Sequence, residues 1–160
     1  MRYLFENAST AFELIAAGRV LVAAALGALL GIERSLAGKH AGMRTYSLVA
    51  MGSALFVVTG VLLEAWNIGG SLDPSRIAAA IVMGIGFIGS GIAFLHTDKE
   101  HPGELTTAAG VWVAAGIGMA VGFGFYTLAA AVTIITVIVF TVFLRAENSL
   151  RERYGVKNGS

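Results

Sequence analysis

The 160-residue chain has no cysteine, and Asp, Glu, Lys and Arg make up only 13% of it. The first absence excludes disulfides, thiolate metal sites and a cysteine nucleophile, and it leaves the compartment open. The second is about half the charged content of an ordinary soluble domain, roughly 25%. What charge there is nearly cancels: 11 basic residues stand against 10 acidic ones, and a net of +1 gives no footprint for nucleic acid. Neither a Ser-His-Asp set, an H-E-x-x-H motif nor a P-loop occurs, so neither catalysis nor a cofactor is expected. The opening stretch, Met1–Phe12, lacks the apolar core and small-residue cleavage site of a signal peptide, so the first apolar segment is expected to be retained.

What the chain does have is apolar sequence, 56% of its residues at a mean hydropathy of +0.78. It is gathered into runs: Thr45–Leu63, Ile77–Leu95 and Leu105–Leu144 hold no charged residue. An uncharged run of about 18 residues or more reads as a membrane-spanning helix, because about 20 residues at 1.5 Å each cross the hydrocarbon core. A first span over about Ala11–Ile32 tolerates Glu13 and Arg19. The run Leu105–Leu144 is twice what one helix needs, and its expected break is Gly122-Phe123-Gly124. The result is an all-α bundle of about five spans over residues 1–145, followed by a short helical tail over 146–160. The alternative is four spans with a re-entrant half-helix before Gly122.

Basic residues in short loops set orientation. Arg34, Lys39 and Arg44 in the first loop and Arg145, Arg151, Arg153 and Lys157 in the tail place both on the cytoplasmic side. Five spans then put the N-terminus outside. Trp66 and Tyr126 are expected at the outer aromatic belt and Tyr46 at the inner one.

Charge inside a span costs about 2.5–3.5 kcal/mol on insertion scales, so Arg19 needs a reason. It can snorkel outward near Glu13, pair with a carboxylate at the same end such as Glu64 or Asp73 beside Arg76, or serve a solute. On the cytoplasmic side Glu33, Arg34 and Arg44 form a second layer, in which Glu33 opposite Arg44 would close the first hairpin. Glu33, Glu64, Asp73 and Glu104 are the only candidates for Mg²⁺, which prefers oxygen ligands. The topology divides them between two faces, so support for a metal is weak. His96 and His101 read as a solvated loop. Trp112 reads as packed within its helix, its indole needing an acceptor.

Gly84, Gly86 and Gly89 fit G-x-G-x-x-G, but they sit inside an uncharged span rather than between a strand and a helix. They read instead, with Gly91 and the pairs Gly27/Gly31 and Gly118/Gly122, as small residues that let helices approach closely. Packing within the chain is the default expectation.

The order of these segments resembles the MgtC/SapB family of bacterial membrane proteins. The similar stretches are Leu26–Arg34, Ala41–Thr45, Asp73–Ala78, Gly84–Gly91 and Leu105–Ala109 with Trp112–Ala115. The resemblance implies a bacterial inner-membrane protein linked to growth under magnesium limitation and, in pathogens, to survival inside macrophages. It also implies action by binding other membrane machines, including the F-type ATP synthase; direct magnesium transport has been proposed for the family as well. The motif positions carried over are Glu33, Arg34, Gly42, Arg44, Asp73, Arg76, Gly86, Gly89, Thr106 and Thr107. Larger members carry an ACT-type C-terminal domain, so this chain resembles the short, SapB-like branch. The expectation is a regulatory membrane protein in the lipid bilayer that binds copies of itself and another membrane protein. The alternative is a transporter or channel for Mg²⁺ or another small solute.

Overall fold

The computed structural model describes residues 2–66, 73–95 and 104–154, and every element among them is helical. Helix α1 covers Arg2–Leu36, α2 Met43–Ala65, α3 Pro74–Leu95, α4 Glu104–Gly122 and α5 Tyr126–Ile138. A π-helical turn, Val139–Phe143, joins α5 without a break to α6, Leu144–Tyr154. Among the described residues five stretches are long and apolar enough to cross a membrane: Thr10–Leu36, Met43–Ala65, Pro74–Phe94, Leu105–Gly122 and Tyr126–Tyr154. The fourth stretch has 18 residues and the fifth 29, so the five-span reading holds. α1 extends further at both ends than its apolar core required.

The two described turns between spans use the same backbone device. After α1, Lys39 N–H donates to the Arg34 carbonyl at 3.0 Å and Gly38 N–H to that of Ser35 at 3.2 Å, with Gly38 at φ +68°. After α4, Phe125 N–H donates to the Ala120 carbonyl at 2.8 Å and Gly124 N–H to that of Val121 at 2.9 Å, with Gly124 at φ +88°. Both are Schellman caps, in which a left-handed residue lets the outgoing chain satisfy carbonyls the helix leaves unpaired. The Ser35 hydroxyl then accepts the Met43 amide at 3.1 Å, so the end of α1 caps the start of α2.

Helices α2 and α4 form the centre: α1 packs on both, and α3 and α5 pack chiefly on α4. Small residues set these distances. A Cβ on Gly27 would lie 2.5 Å from the Tyr46 carbonyl oxygen, and one on Gly31 would enter the Met43 backbone. On α4, a Cβ at Gly118 would strike the Ala50 carbonyl, and one at Gly122 would lie 2.7 Å from Val57. The core between the three helices is correspondingly fine-grained: Ala50, Ala54, Val57, Ala114, Ile117 and Val121 are buried. Helix contacts in a bilayer gain little from apolar burial, since lipid is equally apolar, so close backbone approach supplies the packing.

Hydroxyls inside the spans are satisfied locally. Thr133, Thr136 and Thr141 each donate to the carbonyl four residues back, at 2.7–2.8 Å, and Ser90 does the same to Gly86 at 2.8 Å.

Helix α3 stands apart. It leans mainly on α4, and only 6% of its span is buried, against 50% of the α4 span. Contrary to the default expectation of packing within the chain, a Cβ on Gly84, Gly86, Gly89 or Gly91 would meet nothing within 4 Å. The apolar pattern of a span does not distinguish a glycine facing a neighbour from one facing lipid.

Candidate functional site

Charged side chains collect at the two ends of the bundle. At the end formed by the C-terminus of α1 and the N-termini of α2 and α4, Arg34 is only 3% exposed. Its Nε donates to the Glu33 carboxylate, and its guanidinium carbon lies 4.1 Å from the centre of the Phe140 ring. The cation is thus held between a carboxylate and an aromatic face, an arrangement that offsets burial. Phe140 comes from the π turn, a type of irregularity often found at functional positions. Beneath it, Gly110 leaves room for both rings: its Cβ would collide with the Tyr46 hydroxyl and the edge of Phe140. Tyr46 is fully buried and donates its hydroxyl to the Thr107 carbonyl at 3.2 Å.

Two expectations at this end need correction. Glu33 pairs with Arg34, not with Arg44, which is exposed at the start of α2. Tyr46 is a core residue joining α2 to α4 rather than a member of an aromatic belt, because Gly110 opens a slot for its ring. Thr106 is exposed and Thr107 buried, as adjacent residues on a helix must diverge. Phe140 was not singled out by sequence, because nothing in an uncharged apolar run marks which aromatic residue will meet a cation.

At the opposite end, Arg19 reaches from α1 to the end of α4, donating from Nη1 to the Gly122 carbonyl at 2.8 Å. Its Nε is buried without a partner, and Gly124 lies beside the guanidinium. Arg19 has therefore found the negative end of a helix dipole in place of the carboxylate considered for it. Glu64, Asp73 and Arg76 are all exposed, and no ion pair joins Arg19 to Glu64 or Asp73 among the described residues. Asp73 caps α3, accepting the Ser75 amide at 2.9 Å. The bonds from Ser75, and then the nearby Arg76 charge, hold its carboxyl below the ordinary value of 3.8.

Trp66 and Tyr126 are half-exposed at this end, where an aromatic belt is expected. Trp112, expected to pack within its helix, is 53% exposed and points off the outside of α4. His96 and His101 and the Glu104 side chain lie outside the described residues. Among the described residues no three His, Cys, Asp or Glu side chains come together as a metal cage. The two ends are separated by the packed α1–α2–α4 core.

This architecture is that of a multi-pass membrane protein, with a buried arginine clamp at one end and an arginine helix cap at the other. The sequence matches the MgtC family over residues 20–149, and the chain belongs to that family. Among curated proteins it is 44% identical over 129 residues to one of Escherichia coli (strain K12) named "Putative magnesium transporter YhiD", covering 78% of this chain and 58% of that one. It is 35% identical over 136 residues to Protein SrpB of Synechococcus elongatus, covering 81% and 75% of the two chains. It is 42% identical over 125 residues to Protein MgtC of Brucella abortus (strain 2308), covering 78% and 46%. The aligned part is thus little more than half of YhiD and less than half of that MgtC. No solved structure matches the chain.

Proposed function

We propose that this protein is a regulator in the inner membrane that acts by binding other membrane proteins, copies of itself included, during adaptation to low magnesium. The observation that carries the reading is the outward face of α3. Ala79, Val82, Gly86, Gly89 and Ala93 recur there at helical spacing, and the two glycines face open space. Small residues on an exposed span let another transmembrane helix approach backbone to backbone. Replacing Gly86 and Gly89 together by Leu should abolish recovery of partner proteins from native membranes and shift the protein to its monomer, with the thermal unfolding midpoint unchanged. Recovery and oligomer size equal to the parent protein's would sink the proposal.

Transport of Mg²⁺ is the second reading. The name of the YhiD relative favours it, together with an acidic residue near each end, Glu33 beside Arg34 and Asp73 at the start of α3. A pathway would have to form between protomers, because glycine-spaced backbones close the core of one chain. Mg²⁺ flux into liposomes that Glu33→Gln and Asp73→Asn both abolish would replace the regulator with a transporter.

A further inference from the structure

A cleft of about 790 Å³ separates α2 from α3. The helices touch near one end, where Ile77 fills the space above Gly60, and the wall surfaces are otherwise small or apolar: Gly52 and Ser53 on α2 face Ala80 and Gly84 on α3. This side of α3 is distinct from the Gly86–Gly89 side, since residues two apart on a helix point in widely different directions. Among the described residues the cleft has one charged residue in its lining, Arg76.

Arg76 is the third residue of α3, so it stands where the span begins, at headgroup depth. The guanidinium makes no ion pair among the described residues. Asp73, the nearest acid, is occupied as the cap of α3 through the Ser75 amide. From Arg76 the cleft runs down α3 to Ile88, about 18 Å at 1.5 Å per residue, more than half of the roughly 30 Å hydrocarbon core. A cation at the surface with an apolar slot descending from it matches an anion attached to a long hydrocarbon chain.

We infer that the α2–α3 cleft is a phospholipid site, in which the Arg76 guanidinium holds the headgroup phosphate and the acyl chains lie along Gly52, Ser53, Ala80 and Gly84. A bidentate fork suits phosphate better than the point charge of a lysine. A second copy of this chain is the poorer occupant. Two copies pairing through this cleft about a twofold axis along the membrane normal would each bring an Arg76 to the contact at the same depth, and the lining has no acidic residue to receive it. The inference does not depend on the partner face of α3.

The test is native mass spectrometry of the detergent-purified full chain titrated with phosphatidylglycerol. The parent protein should retain one lipid. Arg76→Gln should weaken retention about tenfold, and Gly84→Phe, whose ring would fill the slot, should abolish it. Ala80→Phe on the same wall should repeat the Gly84→Phe result, which guards against one variant failing to fold, and Leu128→Phe, exposed on α5 and outside the cleft lining, should bind as the parent does. Equal retention by all variants would mean unspecific annular lipid and overturn the site. Loss with Arg76→Gln but not with the Phe variants would reduce it to surface attraction. Loss with the Phe variants but not with Arg76→Gln would remove the phosphate contact. Competition by inorganic phosphate alone, or a dimer that dissociates when the slot is filled without any change in lipid, would overturn it equally.

Discussion

A methyl group added at Gly118 would collide with the carbonyl of Ala50, whereas one added at Gly84 would meet open space. Both glycines lie in uncharged apolar helices, so the comparison isolates packing from composition. Gly118→Ala should destabilise the bundle by about 1–3 kcal/mol, the usual cost of overpacking, because the obstacle is backbone and cannot rotate away. Gly84→Ala should leave stability unchanged or raise it slightly, since alanine is the better helix former by about 1 kcal/mol. Thermal unfolding in one detergent checks both, and equal midpoints would contradict the close α2–α4 approach. Arg34 illustrates a different residue-scale constraint. A buried guanidinium is tolerable only while Glu33 and the Phe140 ring both face it, and those two come from opposite ends of the chain.

Among the elements, α4 depends on a neighbour for its ending. Its last carbonyl, that of Gly122, accepts from Arg19 of α1, and the cation also sits where the helix dipole is negative. Arg19→Met should cost about 2 kcal/mol in that turn, the value of a hydrogen bond to a charged group. Hydrogen exchange should speed up at Phe123–Phe125 while Gly38–Lys39, the equivalent turn at the far end, keeps its rate; uniform acceleration would argue against a local cap. The elements themselves were legible in the sequence because charge-free length and paired glycines are strong local signals: the break at Gly122–Gly124 falls where the two glycines stand. The pairings of charge were less legible. Arg19 takes a backbone carbonyl, a partner every residue offers, and Arg34 takes a phenylalanine more than 100 positions away, so side-chain charge alone named neither. The role of α3 was hidden for a related reason, since its glycines look the same in sequence as those of α1 and α4 and differ only in what faces them.

For the whole molecule, the excess of Lys and Arg in the first loop and in the tail predicts that this end faces the cytoplasm. The cysteine-free chain makes this direct to check, because any introduced thiol is the sole target. A membrane-impermeant thiol reagent applied to intact spheroplasts should label an Ala65→Cys variant and spare an Ala37→Cys variant; the reverse pattern would invert the molecule. The same end of the bundle carries the π turn at Val139–Phe143, which inserts an additional residue into one coil of an otherwise regular rod. Everything beyond it is consequently dialled round the rod's axis: losing a single residue there would turn α6 by about 100°. Glu147 and Arg151, joined at 2.6 Å, would turn as a unit with Arg145 and Arg153. The compass bearing of the basic tail is therefore fixed by how many residues lie in that one coil, and a family member with one fewer would present the same charges to a different neighbour.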